Sequence, residues 1–293
     1  MFGFGAATCY GTLICAVKWL YRTSTISVFE ILYLRSFVAL ILVSAILYCG
    51  RISPFEIKRE KVALCLAVRC VTGFMGFATE FFAVKFTELS KIVIILYNPF
   101  LTSLMSFLII GERVNRHDLL AFFLGVVGIA LLTDPFSNLK GLNDLIGCGL
   151  AVMSAVIFNL GFIALRKVKS QLNSWQIVFY FTVTNMLLSP FSFLLDKSFT
   201  AHIQEQSSIY DFAPDSLLIL SFIGAVTVIG NFCVNKTLFY EKAGRATAYY
   251  NLELLFTFLF DIMVDRARFS GYEIAGVSLI VVANLYMYLV NSQ

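Results

Sequence analysis

Ala83–Phe107 reads AVKFTELSKIVIILYNPFLTSLMSF, and Leu238–Ile262 reads LFYEKAGRATAYYNLELLFTFLFDI. A shift of about 155 residues lays one over the other, as part of a longer overlay of 83–133 on 238–288. The letters agree weakly and the hydropathy agrees better. Tyr97-Asn98-Pro99 in the first stretch meets the region of Tyr249-Tyr250-Asn251-Leu252-Glu253 in the second. Similarity at a fixed period is the mark of a repeat architecture. The overlay predicts two related halves, 1–140 and 141–293.

Outward from these stretches the chain is apolar almost throughout. Of its 293 residues 59% are hydrophobic and 14% charged, against roughly 25% charged in a soluble domain. One water-soluble core of this size could not hide so much apolar surface. About 20 apolar residues cross a bilayer as a helix. The sequence offers ten such runs: 2–21, 28–49, 62–84, 89–110, 118–133, 142–165, 175–195, 216–239, 246–264 and 272–290. Continuous runs of this length favour helices over the alternating segments of a membrane barrel. The expected fold is an all-α membrane protein with ten transmembrane helices. They form two five-helix repeats around a central cavity. Five is odd, so the two copies would be inverted in the bilayer, an arrangement typical of secondary transporters.

The first run could be taken for a signal peptide. It lacks a basic start, and Lys18 and Arg22 come at its far end, so it reads as a helix of the fold, with room for a tail ahead of residue 1. Ten helices put both termini on one side. The connections on that side hold eleven Lys/Arg against eight opposite, which favours cytoplasmic termini, in the plasma membrane or an endomembrane. The net charge of +4 is spread along the chain, with no basic block to suggest nucleic acid. The seven cysteines form no CxxC and fall mostly in apolar runs, as packing residues. The two histidines lie in connections. No metal site or cofactor is expected.

Ionisable residues deep in a span cost a few kcal/mol each and are functional candidates by default. Arg35, Arg69, Glu80, Lys236 and Glu253 lie well inside, with Asp261 nearer an end. Arg69 and Glu80 stand almost three turns apart on one face, and Gly73 and Gly76 lie between them. Such a face could wall a cavity and present a guanidinium to an anionic solute, or tie helices together. Arg35 reads as a structural or gating residue. Thr227, Asn231 and Asn235 repeat every four residues, with Lys236 beside them; the stripe could bind a solute or hold helices. Pro99 frees a backbone carbonyl and predicts a kink. Paired irregular points in two halves are the best pointer to a transport site, which adds Tyr97, Asn98, Tyr250 and Asn251. Glu253, Thr257 and Asp261 share a face, making Glu253 and Asp261 the candidates for carrying a coupling proton.

Tyr10-Gly11, FEILYLRSFVALIL, the segment 83–113 ending in Gly-Glu-Arg, and NKTLFYEKAGRATAYYNLELLFTFLFD resemble, in order and spacing, the EamA-type members of the drug/metabolite transporter superfamily. The second-half segment is similar to the solute-carrier 35 G-type, acyl-malonyl-condensing-enzyme-like branch. The resemblance covers essentially the whole chain. It implies alternating access and transport of small organic metabolites: amino acids, nucleotide sugars, carboxylates or phosphorylated compounds. Tyr10 stands where that family often has Trp, and the second half has no proline matching Pro99. The expected function is therefore secondary active transport of a small organic solute, with lipid around it, protons as candidate coupling ion and a homodimer left open. The alternative is a non-transporting scaffold or receptor, for which interior charges have no use. An enzyme would need a nucleophile–base pair or metal ligands, and no span holds a histidine.

Overall fold

A computed structural model describes residues 2–24, 26–54, 60–97, 99–111, 120, 123–124, 127–128, 131, 141–168, 171–200, 214–241, 246, 249–250, 253–264, 266 and 270–291. Most of the expected fifth run, 118–133, and the site candidates Asn98 and Asn251 lie outside these residues. Among the described residues every regular element is a helix. They are α1 (Phe2–Thr23), α2 (Val28–Cys49), α3 (Glu60–Phe86), α4 (Leu89–Leu96), α5 (Pro99–Ile110), α6 (Gly141–Val168), α7 (Ser174–Thr200), α8 (Pro214–Tyr240), α9 (Glu253–Met263) and α10 (Gly271–Asn291). Val28–Cys49, Glu60–Phe86, Asn143–Lys167 and Ser216–Tyr240 are long and apolar enough to cross a membrane.

Local chemistry accounts for several boundaries. The Ser27 hydroxyl accepts from the Glu30 amide, and the Glu30 carboxylate accepts from the Ser27 amide at 2.8 Å. This capping box satisfies two donors at the start of α2, and it explains the buried Glu30 without invoking function. The run expected over 89–110 is interrupted where the kink was predicted: α4 stops at Leu96 and α5 starts at Pro99. Proline suits a first helical position because its missing N–H would have had no partner there. Gly111 follows α5 with φ 73°, a left-handed conformation that ends helices cheaply only at glycine.

Lipid tails give helices no hydrophobic reason to associate, so close packing at small residues must hold the bundle. α3 lies against α6 and α1 against α8. Gly76 faces the Phe158 ring, and the Ser154 hydroxyl donates to the Gly76 carbonyl at 2.9 Å. Gly230 of α8 faces Cys9 and Tyr10 of α1 in the same manner. The other contacts come in similar pairs: α2 on α8 with α3 on α7, and α1 on α9 with α4 on α6. Large apolar side chains such as Leu64, Leu108, Leu218 and Met263 point outward and are mostly exposed, as a lipid-facing surface requires.

Candidate functional site

α1, α3, α4, α6 and α8 converge on a small cavity lined by Tyr10, Arg69, Phe77, Tyr97, Phe158, Phe162, Val234 and Tyr250. The space within it is about that of one water molecule. The lining is aromatic, with three phenol groups and one guanidinium. Phe77 and Phe158 meet edge to face at 5.0 Å, and Tyr97 meets Tyr250 at 5.6 Å and 68°. Such tilted pairs are favourable because ring edges and faces carry opposite partial charge.

Arg69 is 3% exposed. Its guanidinium lies over the Phe181 ring at 4.9 Å and, farther off, over Phe162 at 5.9 Å. Nη2 donates a long bond, 3.5 Å, to Asn231 Oδ1. Among the described residues Nε and Nη1 have no hydrogen-bond partner. Buried donors without partners are costly, and a guanidinium matches a carboxylate or phosphate with two parallel bonds. This cation is therefore set to receive an anionic group. Gly73 is one reason that it fits, since a β-carbon there would sit 2.7 Å from Arg69 Nη1 and against Phe181.

Arg35 sits between two rings, 4.2 Å from the centre of Phe77 and 4.9 Å from Phe81. It acts electrostatically on Glu80, yet none of its three nitrogens makes a hydrogen bond. Aromatic faces stabilise a desolvated cation by about 2 kcal/mol, which offsets part of its burial. Glu80 and Glu253 are 3% and 1% exposed. Among the described residues Glu80 Oε2 has no hydrogen-bond partner, and Tyr97 is the one group placed to donate to Glu253, though at less than good geometry. Glu253 feels Glu80 and lies beside Tyr97, which lines the cavity while Glu253 does not.

The structure thus brings Arg69, Tyr97, Tyr250 and Asn231 together. Gly73 and Gly76 lie on the helix face expected of them. Asn235 lies outside the lining and reaches Ser174 O at 3.4 Å. Lys236 is half-buried over Phe232 at 5.7 Å, also away from the lining. Asp261 is engaged elsewhere: Oδ1 and Oδ2 accept from the amides of Leu89 and Ser90 at 3.2 and 2.7 Å. It caps the first turn of α4, whose own N-cap residue, Glu88, makes no side-chain cap bond. Helix N-termini attract anions. Asp261→Asn is expected to cost about 1 kcal/mol and to leave the pH dependence of transport as in the wild type. A shifted pH profile would restore Asp261 as a proton carrier.

Two lysines within the expected spans find polar partners inside the bundle. Lys91 is fully buried in α4, with Nζ 2.8 Å from Asp144 Oδ2 and 3.0 Å from Glu88 Oε2. Lys18 of α1 donates to the Thr87 carbonyl at 2.8 Å, and the Thr87 hydroxyl donates to Asp144. Lining residues not picked out from sequence are Phe77, Phe158, Phe162 and Val234, with Tyr10 noted only as part of a motif. Two were signalled by glycine: Phe158 faces Gly76, and Tyr10 faces Gly230. The sequence does not say which aromatic meets which glycine.

Four helices long and apolar enough to span a bilayer, packed around a small cavity with a buried cation, mark an integral membrane protein. The chain belongs to the EamA-like transporter family, whose model matches residues 1–134 and again 145–289. It is similar to an uncharacterized transporter of Helicobacter pylori, 22% identical over 97% of this chain and 92% of the other. It is 24% identical to the pseudopaline exporter CntI of Pseudomonas aeruginosa over 89% and 86%. With solute carrier family 35 member G1 of Homo sapiens it shares 22% over 85% and 68%. A solved crystal structure shares the fold with a TM-score of 0.69 at 18% identity, covering 99% of this chain and 96% of that one. Family and relatives place the chain with transporters, not enzymes.

Proposed function

We propose that this chain is a secondary active transporter that carries a small organic solute with an anionic group, by alternating access between two inverted five-helix repeats, residues 1–140 and 141–293. The observation that carries this reading is Arg69, a buried guanidinium on the wall of a small cavity, with two nitrogens that have no partner among the described residues. Helix contacts that recur in exchanged pairs support the repeat, as does a family model that matches once in each half. That one relative is named an exporter of pseudopaline supports the choice of an organic metabolite. Tyr97 and Tyr250 close over the solute, and Asn231 holds Arg69 in place. Protons are the proposed coupling ion, with Glu253 as their carrier. The termini are placed on the cytoplasmic side.

Counterflow in reconstituted vesicles tests this reading with a panel of carboxylates, amino acids and phosphorylated compounds. Saturable exchange of at least one anionic solute is expected. Arg69→Gln is expected to lower it about 10- to 100-fold, the value of a charge-assisted hydrogen bond of roughly 1.5–3 kcal/mol. Uptake of no solute by a correctly folded protein would favour the scaffold reading.

A further inference from the structure

We propose that the transported solute is amphoteric and extended: Arg69 holds an anionic group, and Glu253 holds a cationic group several carbons away, beside Tyr97. The proposal deepens the carrier reading and rests on it. It stands on three observations.

Both ends of the site carry poorly partnered charge of opposite sign. Among the described residues Arg69 has two nitrogens without acceptors, and the Glu253 oxygens make no well-formed hydrogen bond, with only the Tyr97 side chain near enough to offer one. Both side chains are at most 3% exposed. Arg69 can only donate, and an ionised Glu253 can only accept.

The charges of the site also cancel. Arg35 and Arg69 supply two positive groups, and Glu80 and Glu253 two negative ones. Arg35 lies near Glu80, so that pair nearly neutralises itself. One positive pole and one negative pole remain. A dianion would leave Glu253 facing a like charge in a poorly solvated interior, at high cost. A dication would do the same to Arg69. A solute carrying one charge of each sign satisfies both.

The poles are far apart. Arg69 and Glu80 are separated along α3 by about 16 Å at their α-carbons, from the helical rise, and Glu253 lies close enough to Glu80 to act on it. Long side chains shorten the gap without closing it. An α-amino acid, with its two charges on adjoining atoms of one carbon, does not reach both. Tyr97 sits at the C-cap of α4, with φ −99° and ψ 35°, where the span is interrupted before Pro99.

The test uses the full-length protein in vesicles and a homologous series of ω-amino carboxylates from three to eight carbons. Dicarboxylates, diamines and monocarboxylates of equal length serve as comparisons. Counterflow is expected to peak at one length of ω-amino carboxylate, at least about 10-fold above the matched dicarboxylate and diamine, the size of one buried charged hydrogen bond. Glu253→Gln is expected to lower the ratio of ω-amino carboxylate to monocarboxylate uptake by a similar factor. Ligand-induced shifts in the melting temperature of the wild-type protein in detergent provide the same ranking without any variant. Dicarboxylates carried as well as the ω-amino series would overturn the proposal and leave the anion carrier standing. So would a Glu253→Gln protein whose uptake falls equally for both classes. If no member of the series is carried or shifts the melting temperature while a phosphorylated compound or α-amino acid is carried, this proposal is overturned and the carrier stands; if no solute of either panel is carried, the carrier reading fails as well.

Discussion

Lys91→Met is expected to destabilise the folded bundle by roughly 3–5 kcal/mol, the cost of removing one partner from a buried ion pair. Lys91 is wholly buried and serves two carboxylates, Asp144 on α6 and Glu88 just ahead of α4. Without it, both acids lose their cation. Methionine fills nearly the same volume, so the loss is electrostatic and not a cavity effect. The surroundings amplify the result. The Thr87 hydroxyl donates to Asp144, Lys18 donates to the Thr87 carbonyl, and Asp261 caps the next turn. Four helices, α1, α4, α6 and α9, therefore meet in one polar cluster, and such clusters respond as a unit. Unfolding midpoints in detergent measure the effect. Adding Asp144→Asn to Lys91→Met should recover part of the loss, because one uncompensated acid is removed. A single-variant cost under about 1 kcal/mol would mean that the cluster is solvated and behaves as a surface pair.

That cluster also marks where the sequence stopped being readable. Span positions, the interruption at Pro99 and the interior charges at Arg69, Glu80 and Glu253 follow from hydropathy and length, since a bilayer imposes both. Partners do not. Lys91 falls inside the expected run 89–110, but nothing in that run points to a partner. Its partner Asp144 is 53 positions away, and Asp261 reaches Ser90 across 171. Periodicity says which residues share a helix face and nothing about which helix that face meets. Lipid-facing and core-facing positions are both apolar here, so hydropathy could not separate Phe158, which lines the cavity, from Leu160, which is partly exposed. With 30 phenylalanines in the chain, the rings that box in Arg35 and Arg69 were indistinguishable from the rest. Glycine was more informative, because a missing side chain in a helix implies a close neighbour.

Gly73→Ala is expected to lower transport at least about 10-fold although it adds a single methyl group. In an exposed helix the same change stabilises by about 0.5–1 kcal/mol, because alanine loses less backbone freedom on folding. At position 73 the new carbon would lie 2.7 Å from Arg69 Nη1 and closer still to the Phe181 ring. Real β-carbons do not approach other atoms so closely, so the ring, the guanidinium or α3 itself must shift. Overpacking of this kind costs typically 1–3 kcal/mol. The functional cost comes from where the strain falls. Phe181 supports the face of the Arg69 guanidinium at 4.9 Å, and the methyl group presses on both. Displacing the cation forfeits a charged hydrogen bond to the solute, worth roughly 10-fold or more. Gly149→Ala is the matched control: it lies in α6, and a β-carbon there meets nothing within 4 Å. It should fold as well as the wild type and transport normally. Equal transport by Gly73→Ala and Gly149→Ala would mean that the Arg69 pocket relaxes freely, and that its geometry is not set by the space glycine leaves on α3.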